Sequence, residues 1–109
     1  MDANDLAERN LLNEKVIDVL KTIKDPEIPV NIYDLGLIYE IEIQAFGVVG
    51  VRMTLTAPAC PVADAIVQEV QDKLNAIPEA SGAYVELVWD PPWTKARMTD
   101  EARLELNLD

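Results

Sequence analysis

The sequence contains no histidine and a single cysteine, Cys60. Without histidine, the chain cannot form a Cys-His or Ser-His catalytic pair. One cysteine allows no intrachain disulfide, no thioredoxin-like dithiol and no tetrahedral zinc site of the usual cysteine and histidine ligands. The glycine-rich phosphate-binding motifs are missing as well. We therefore expect no self-contained enzyme of a familiar kind.

Basic residues are scarce, with nine Lys and Arg against 20 Asp and Glu and a formal net charge of −11. This charge has the wrong sign for binding nucleic acid or an anionic membrane surface. No apolar run approaches the roughly 20 residues that span a bilayer, and the acidic N-terminus lacks the features of a secretory signal. We expect a cytoplasmic protein with a reduced thiol, whose partner is a basic protein surface or a metal cation.

At 109 residues, half of them hydrophobic, the chain matches the usual size of one domain with its own core. We expect a single domain over residues 1–109, with residues 1–10 loosely ordered. Apolar residues at helical spacing predict a first helix from about Asn13 to Lys24, with Asn13 as its cap. The helix should stop there because Pro26 disfavours the α conformation at Asp25. A loop with two prolines, residues 25–34, follows.

Alternating apolar and polar residues predict two strands, 37–44 and 49–56, joined by Ala45-Phe46-Gly47 into an antiparallel hairpin. In the first strand, the alternation places Tyr39 with the apolar face. An amphipathic pattern predicts a second helix from about residue 62 to Pro78, and the third strand, 84–89, reads as buried on both faces. A short helix should follow Thr99. The order α-β-β-α-β predicts an α/β (α+β) fold with one small mixed sheet packed by two helices.

Cys60 follows the second strand and precedes the second helix, so it lies at or next to a helix N-terminus. Unpaired backbone N–H groups and the positive end of the helix dipole stabilise a thiolate there, although Asp64 opposes this effect. The thiol would then be a nucleophile or a soft-metal ligand. The alternative is a buried small residue that has only a packing role.

Three carboxylates, Asp25, Glu27 and Asp34, lie on the proline-containing loop and could converge on a metal or flank a thiol. Equally, acidic residues at such positions often form turns with nearby backbone N–H groups. Thr56 could donate a hydrogen bond to a thiolate or end a strand. Trp93 could exclude water beside a reactive loop, present a surface to a partner or pack in the core.

Three segments together resemble the SufT-like iron-sulfur maturation family, which includes PaaD proteins and eukaryotic cytosolic assembly factors. These segments are DPEIPVNIYDLGLIY (25–39), MTLT leading to Cys60-Pro61 (53–61) and WDPPW (89–93). The resemblance spans about Asn13 to Leu106. It implies an α/β fold and a role in maturing iron-sulfur proteins together with assembly proteins and client apoproteins. The PaaD-type cysteine-rich segment is absent here, which favours the short SufT-like branch.

The resemblance also implies that Cys60 is the functional thiol, with Asp25, Glu27, Asp34 and Thr56 near it. Because clusters are usually held by four thiolates, a stable cluster would need a homodimer with external thiols, or ligands from a partner. The expected mechanism is therefore transient ligation of iron or a cluster by Cys60.

The alternative function is an adaptor that binds no metal and docks clients through its acidic, tryptophan-bearing surface. A thiol-based enzyme ranks last, because no general base other than a carboxylate is visible in the sequence.

Overall fold

The computed structural model describes residues 3–25, 28–56 and 63–106. In these ranges the chain forms three α-helices and three strands in the order α-β-β-α-β-α, which confirms the predicted α+β fold. The elements are α1 (Ala3–Leu20), β1 (Ile38–Ile43), β2 (Val48–Met53), α2 (Ala63–Asn75), β3 (Gly82–Leu87) and α3 (Asp100–Glu105). A 3₁₀ turn at Lys95–Arg97, which the sequence did not indicate, precedes α3.

The predicted bounds of the first helix were wrong at both ends, because α1 begins at Ala3 and ends at Leu20. Its N-terminal part covers positions that we expected to be loosely ordered. Good helix formers such as Ala7 and Glu8 continue the helix even where Leu6 remains exposed. After Leu20, backbone hydrogen bonds tighten into i→i−3 pairs, so the last turn closes well before Pro26.

The sheet has the strand order β1-β2-β3 and is mixed, as predicted. β1 and β2 form the antiparallel hairpin, and β3 runs parallel to β2 after the crossover through α2. One face of the sheet contributes Val49, Val51 and Met53 to a single core. Buried residues of the two long helices belong to the same core: Leu12, Val16, Leu20, Ile66, Val70 and Leu74. The periodicity of apolar residues in the sequence therefore correctly predicts which faces of β2 and of the two helices are buried.

A β-bulge corrects the predicted facing of Tyr39. Ile38 pairs with Met53 and Glu40 with Arg52, so β1 contains one extra residue between these pairs. Ile38 consequently packs against the core, and Tyr39 is not among the residues that do. Strict alternation could not reveal this shift, because one inserted residue moves each preceding side chain to the other face.

The prediction that the third strand is buried on both faces was also wrong. Tyr84 and Glu86 of β3 are exposed, as are Glu40 and Glu42 of β1. These residues lie at alternate positions, so one face of β3 stays in contact with solvent, as is common in sheets with antiparallel strands. Among the described helices, none has the length and apolar character needed to cross a bilayer.

Candidate functional site

The carboxylate-bearing loop and the residues that lead from β2 towards Cys60 lie at the same end of the sheet. The backbone N–H of Thr54, just beyond β2, donates to the carbonyl of Leu37 at 2.9 Å, and the N–H of Val88 donates to Met53 at 2.8 Å. The carboxylate-bearing loop therefore enters the sheet beside the point where β2 leads into residues 57–62. Cys60 belongs to that segment and, like Glu27, lies outside the described residues.

Asp25 is almost completely buried, with 5% of its surface exposed. Its Oδ1 accepts a hydrogen bond of 2.9 Å from the backbone N–H of Ile28, and its own N–H donates to Val30 at 3.2 Å. An isolated antiparallel β-bridge between Lys24 and Asn31 joins the two sides of this part of the loop. The carboxylate thus holds the first turn of the loop, which matches the turn-forming alternative considered for it.

Asp34 makes a separate turn at the other end of the loop. Its backbone N–H donates to Oδ1 of Asn31 at 2.8 Å, while its Oδ2 accepts from Nδ2 of the same side chain at 2.9 Å. Its carbonyl accepts from the N–H of Thr99 at 2.9 Å. Asp34 therefore acts in loop structure and in holding the C-terminal part of the chain.

Thr56 lies half-buried in the bend after β2, at the entrance to the segment that contains Cys60. Two residues earlier, Thr54 is only 1% exposed, and its Oγ1 has no hydrogen-bond partner in the part of the chain that the structure describes. A buried hydroxyl without a partner is costly. Sequence analysis did not single out Thr54, because its alternation with Met53 and Leu55 predicts a side chain that faces solvent.

Trp93 belongs to a segment that we call the C-terminal strap, residues 91–99. Its Nε1 donates to the carbonyl of Leu35 at 2.6 Å, and Tyr39 donates from its hydroxyl to the carbonyl of Pro91 at 2.7 Å. The guanidinium of Arg97 lies 4.6 Å from the centre of the Tyr39 ring, within cation–π range. Trp93 is half-buried and packs against the core, so it fixes the strap beside the carboxylate loop.

Among the residues described, no group of three or more histidine, cysteine, aspartate or glutamate side chains could hold a metal ion. Asp25 and Asp34 are each engaged in their own turn at opposite ends of the loop. The site assembled by the described residues is thus a set of stiffened loops around the end of β2.

The described residues form an α+β fold in which the central strand β2 is followed in the sequence by the segment that contains Cys60 and then by the helix α2. The family model described as iron-sulfur cluster assembly protein matches residues 13–87, so the chain belongs to this family. This match confirms the resemblance to SufT-like proteins that was drawn from the three segments.

The chain is similar to two curated bacterial proteins over most of its length. It is 48% identical over 93 residues to an Fe-S protein maturation auxiliary factor of Porphyromonas gingivalis, covering 85% of this chain and 89% of that protein. It is 38% identical over 97 residues to the Fe-S protein maturation auxiliary factor YitW of Bacillus subtilis, covering 89% and 95%. A crystal structure of a DUF59 domain from Bacillus anthracis superposes with a TM-score of 0.86 at 32% identity, covering 95% and 99%.

Proposed function

We propose that this protein is an iron-sulfur maturation factor that contacts iron or a cluster through Cys60 during handover to client apoproteins. The backbone hydrogen bond from the N–H of Thr54 to the carbonyl of Leu37 is the observation that carries the proposal, because it brings the carboxylate-bearing loop to the end of β2, from which the sequence continues towards Cys60. Membership in the iron-sulfur cluster assembly family supports the metal-sulfur chemistry.

The chemistry of a thiol before a helix favours such a contact. Cys60 precedes Ala63, the first residue of α2, by three positions. The N-terminus of a helix this long presents unpaired N–H groups and a positive dipole end, which favour the thiolate, the form that binds iron. The buried Asp25 and the strap around Trp93 stiffen the neighbouring loop and so support a defined approach of the cargo.

One chain supplies only one thiolate, whereas iron-sulfur clusters are usually held by four. The cluster or iron is therefore cargo, bound transiently and completed by thiols of the donor or the client. In this mechanism the protein catalyses no reaction of its own. It presents one thiolate ligand while the other ligands of the cargo pass from those of the donor to those of the client.

The test combines reconstitution with a client readout. The wild-type protein and the Cys60→Ser variant are incubated anaerobically with iron and sulfide, and visible absorption and iron per chain are measured. In parallel, each protein is assayed for activating an iron-sulfur client in cells that lack the native copy. We expect the variant to keep the wild-type melting temperature but to lose client activation. Full client activation by Cys60→Ser would overturn the proposal, whatever absorption is seen.

A metal-free adaptor is the second candidate function, and the exposed indole of Trp89 favours it. This side chain is 42% exposed, whereas Trp93 is tied to Leu35 by a hydrogen bond. Trp93→Ala would disturb the strap as well as any docking surface, so Trp89→Ala is the sharper probe. If the protein is an adaptor, clients should no longer co-purify with the Trp89→Ala variant but should still co-purify with Cys60→Ser. If the thiol mechanism is correct, the Trp89→Ala variant should still activate the client.

A further inference from the structure

The tip of the β1–β2 hairpin carries a phenylalanine in an unfavourable conformation. Phe46 has φ 63° and ψ 20°, in the left-handed region, and Gly47 after it has φ 79°. Glycine, asparagine and aspartate adopt this region readily, whereas a bulky side chain there costs of the order of 1 kcal/mol or more. The turn itself therefore gives no reason for phenylalanine at this position.

Packing gives no reason either, because Phe46 is 95% exposed and its ring has no place in the core. An exposed aromatic ring at a strained position breaks two local rules at once. Such violations concentrate at functional sites, and aromatic side chains are frequent anchors of protein interfaces. The ring of Phe46 thus has the properties of an interface anchor.

A groove of about 650 Å³ lies beside this ring, between α1 and the hairpin. Its apolar lining includes Leu11, Leu12, Ile43 and Ala45. Leu11 is 49% exposed, so the groove presents apolar surface to solvent on the helix side. One continuous patch therefore contains both a projecting ring and a concave apolar surface, which we call the hairpin groove.

The whole chain has a net charge of −11, but the described acidic and basic side chains around the hairpin groove are equal in number. Lys15 forms an ion pair with Glu79 at its rim. Glu8 and Arg9 also line the groove, and within the described residues neither forms an ion pair. Among the described residues, these four side chains sum to zero charge, and Glu8 and Arg9 are the two that have no ion pair. Two such patches related by a twofold axis can pair Arg9 of one copy with Glu8 of the other.

We propose that the hairpin groove is the interface of a homodimer, in which Phe46 of each copy inserts into the groove of the other. A twofold interface joins identical patches, so each patch must be complementary to itself. The hairpin groove meets this requirement in shape, by its ring and its concavity, and in charge, by Glu8 and Arg9. Local neutrality also makes it a place where two acidic chains approach without strong repulsion. This inference is independent of the proposed function.

Sedimentation equilibrium of the full chain in about 0.15 M salt tests the proposal, since the Debye length of about 8 Å screens the remaining like charges. We expect wild-type protein to dimerise with a dissociation constant below about 1 mM. Phe46→Asn removes the ring and installs a residue that tolerates the left-handed conformation, so its melting temperature should equal or exceed that of the monomeric wild type. Its dimer should be weaker by at least about 30-fold.

Leu104→Asn is the matched control, because Leu104 is also a large exposed apolar residue, 76% exposed, but lies on α3 away from the groove. Its dissociation constant should equal that of wild type. Arg9→Glu places two acids at each rim and should also weaken the dimer by at least about tenfold. A wild-type chain that stays monomeric at about 1 mM overturns the proposal, as does a dimer that Phe46→Asn leaves intact.

Discussion

The indole Nε1 of Trp93 donates a hydrogen bond of 2.6 Å to the carbonyl oxygen of Leu35, which lies 58 positions earlier in the chain. This bond joins the C-terminal strap to the loop that carries Asp25 and Asp34. The neighbouring bond from Thr99 to the carbonyl of Asp34 has the same effect. The last part of the chain therefore holds the geometry of the loop that enters the sheet beside the cysteine segment.

Trp93→Phe should lower the free energy of unfolding by about 1–2 kcal/mol. The phenyl ring preserves most of the packing, but the part-buried carbonyl of Leu35 loses its donor. Urea denaturation followed by circular dichroism measures the change. Trp89→Phe is the control, because this ring is exposed and should shift stability by less than about 0.5 kcal/mol. Equal stability of Trp93→Phe and wild type would show that the bond contributes little.

Gly36→Ala should be strongly destabilising. Gly36 has φ 80°, and a Cβ at this position would overlap the backbone carbonyl of Arg97 in the strap. Both the backbone strain and the collision must be relieved by moving the strap, at a cost of about 3 kcal/mol or more. Gly82→Ala provides a control, since a Cβ there would have no heavy atom within 4 Å. Comparable melting temperatures for the two variants would contradict the close contact between Gly36 and the strap.

Sequence patterns predicted the architecture because burial depends on periodicity, which can be read along the chain. Val49, Val51 and Met53 alternate and are buried, and Ile66, Val70 and Leu74 recur at helical spacing and are buried too. The prediction of a short helix after Thr99 was also correct, since α3 begins at Asp100 and the Thr99 side chain caps it by accepting from the N–H of Ala102 at 3.2 Å.

The errors occurred where tertiary contacts overrule local pattern. The bulge before Glu40 directs Tyr39 away from the core. Its hydroxyl donates a hydrogen bond to the carbonyl of Pro91, which lies 52 positions later in the chain. No local signal encodes such a partner. The exposure of Tyr84 and Glu86 shows that one face of β3 stays in contact with solvent, which composition could not reveal. For the candidate site, the motif order indicated the family, whereas the turn-forming roles of Asp25 and Asp34 emerge only from their hydrogen bonds.

Thr54→Val should raise the free energy of unfolding by about 1 kcal/mol. The two side chains have nearly the same shape, and the substitution removes a buried hydroxyl that has no hydrogen-bond partner among the described residues. Urea denaturation of the two proteins under identical conditions measures the gain. Thr56→Val is the control, because its hydroxyl is only half-buried and stability should change by less than about 0.5 kcal/mol. A loss of stability in Thr54→Val would mean that the hydroxyl is satisfied in solution, for example by an ordered water.

The ion pair between Lys15 and Glu79 should make stability depend on pH in the acidic range. The hydrogen bond from Lys15 lowers the pKa of the Glu79 carboxyl below its ordinary value of 4.5, with smaller help from a backbone hydrogen bond. Because the folded-state pKa is the lower one, the contribution of the pair is fully present above pH 4.5. It is lost as the pH falls through the folded-state pKa.

Glu79→Gln should therefore reduce the melting temperature at pH 7 and lose most of that effect at an acidic pH below the folded-state pKa of Glu79, where the wild-type carboxyl is protonated as well. Glu14→Gln is the matched control, since it removes the same charge from exposed surface of α1 without breaking an ion pair of the described residues. Thermal unfolding of the three proteins at both pH values gives the comparison. If the difference between the two variants were the same at both pH values, the pair would not be the cause, because only the pair requires Glu79 to be ionised.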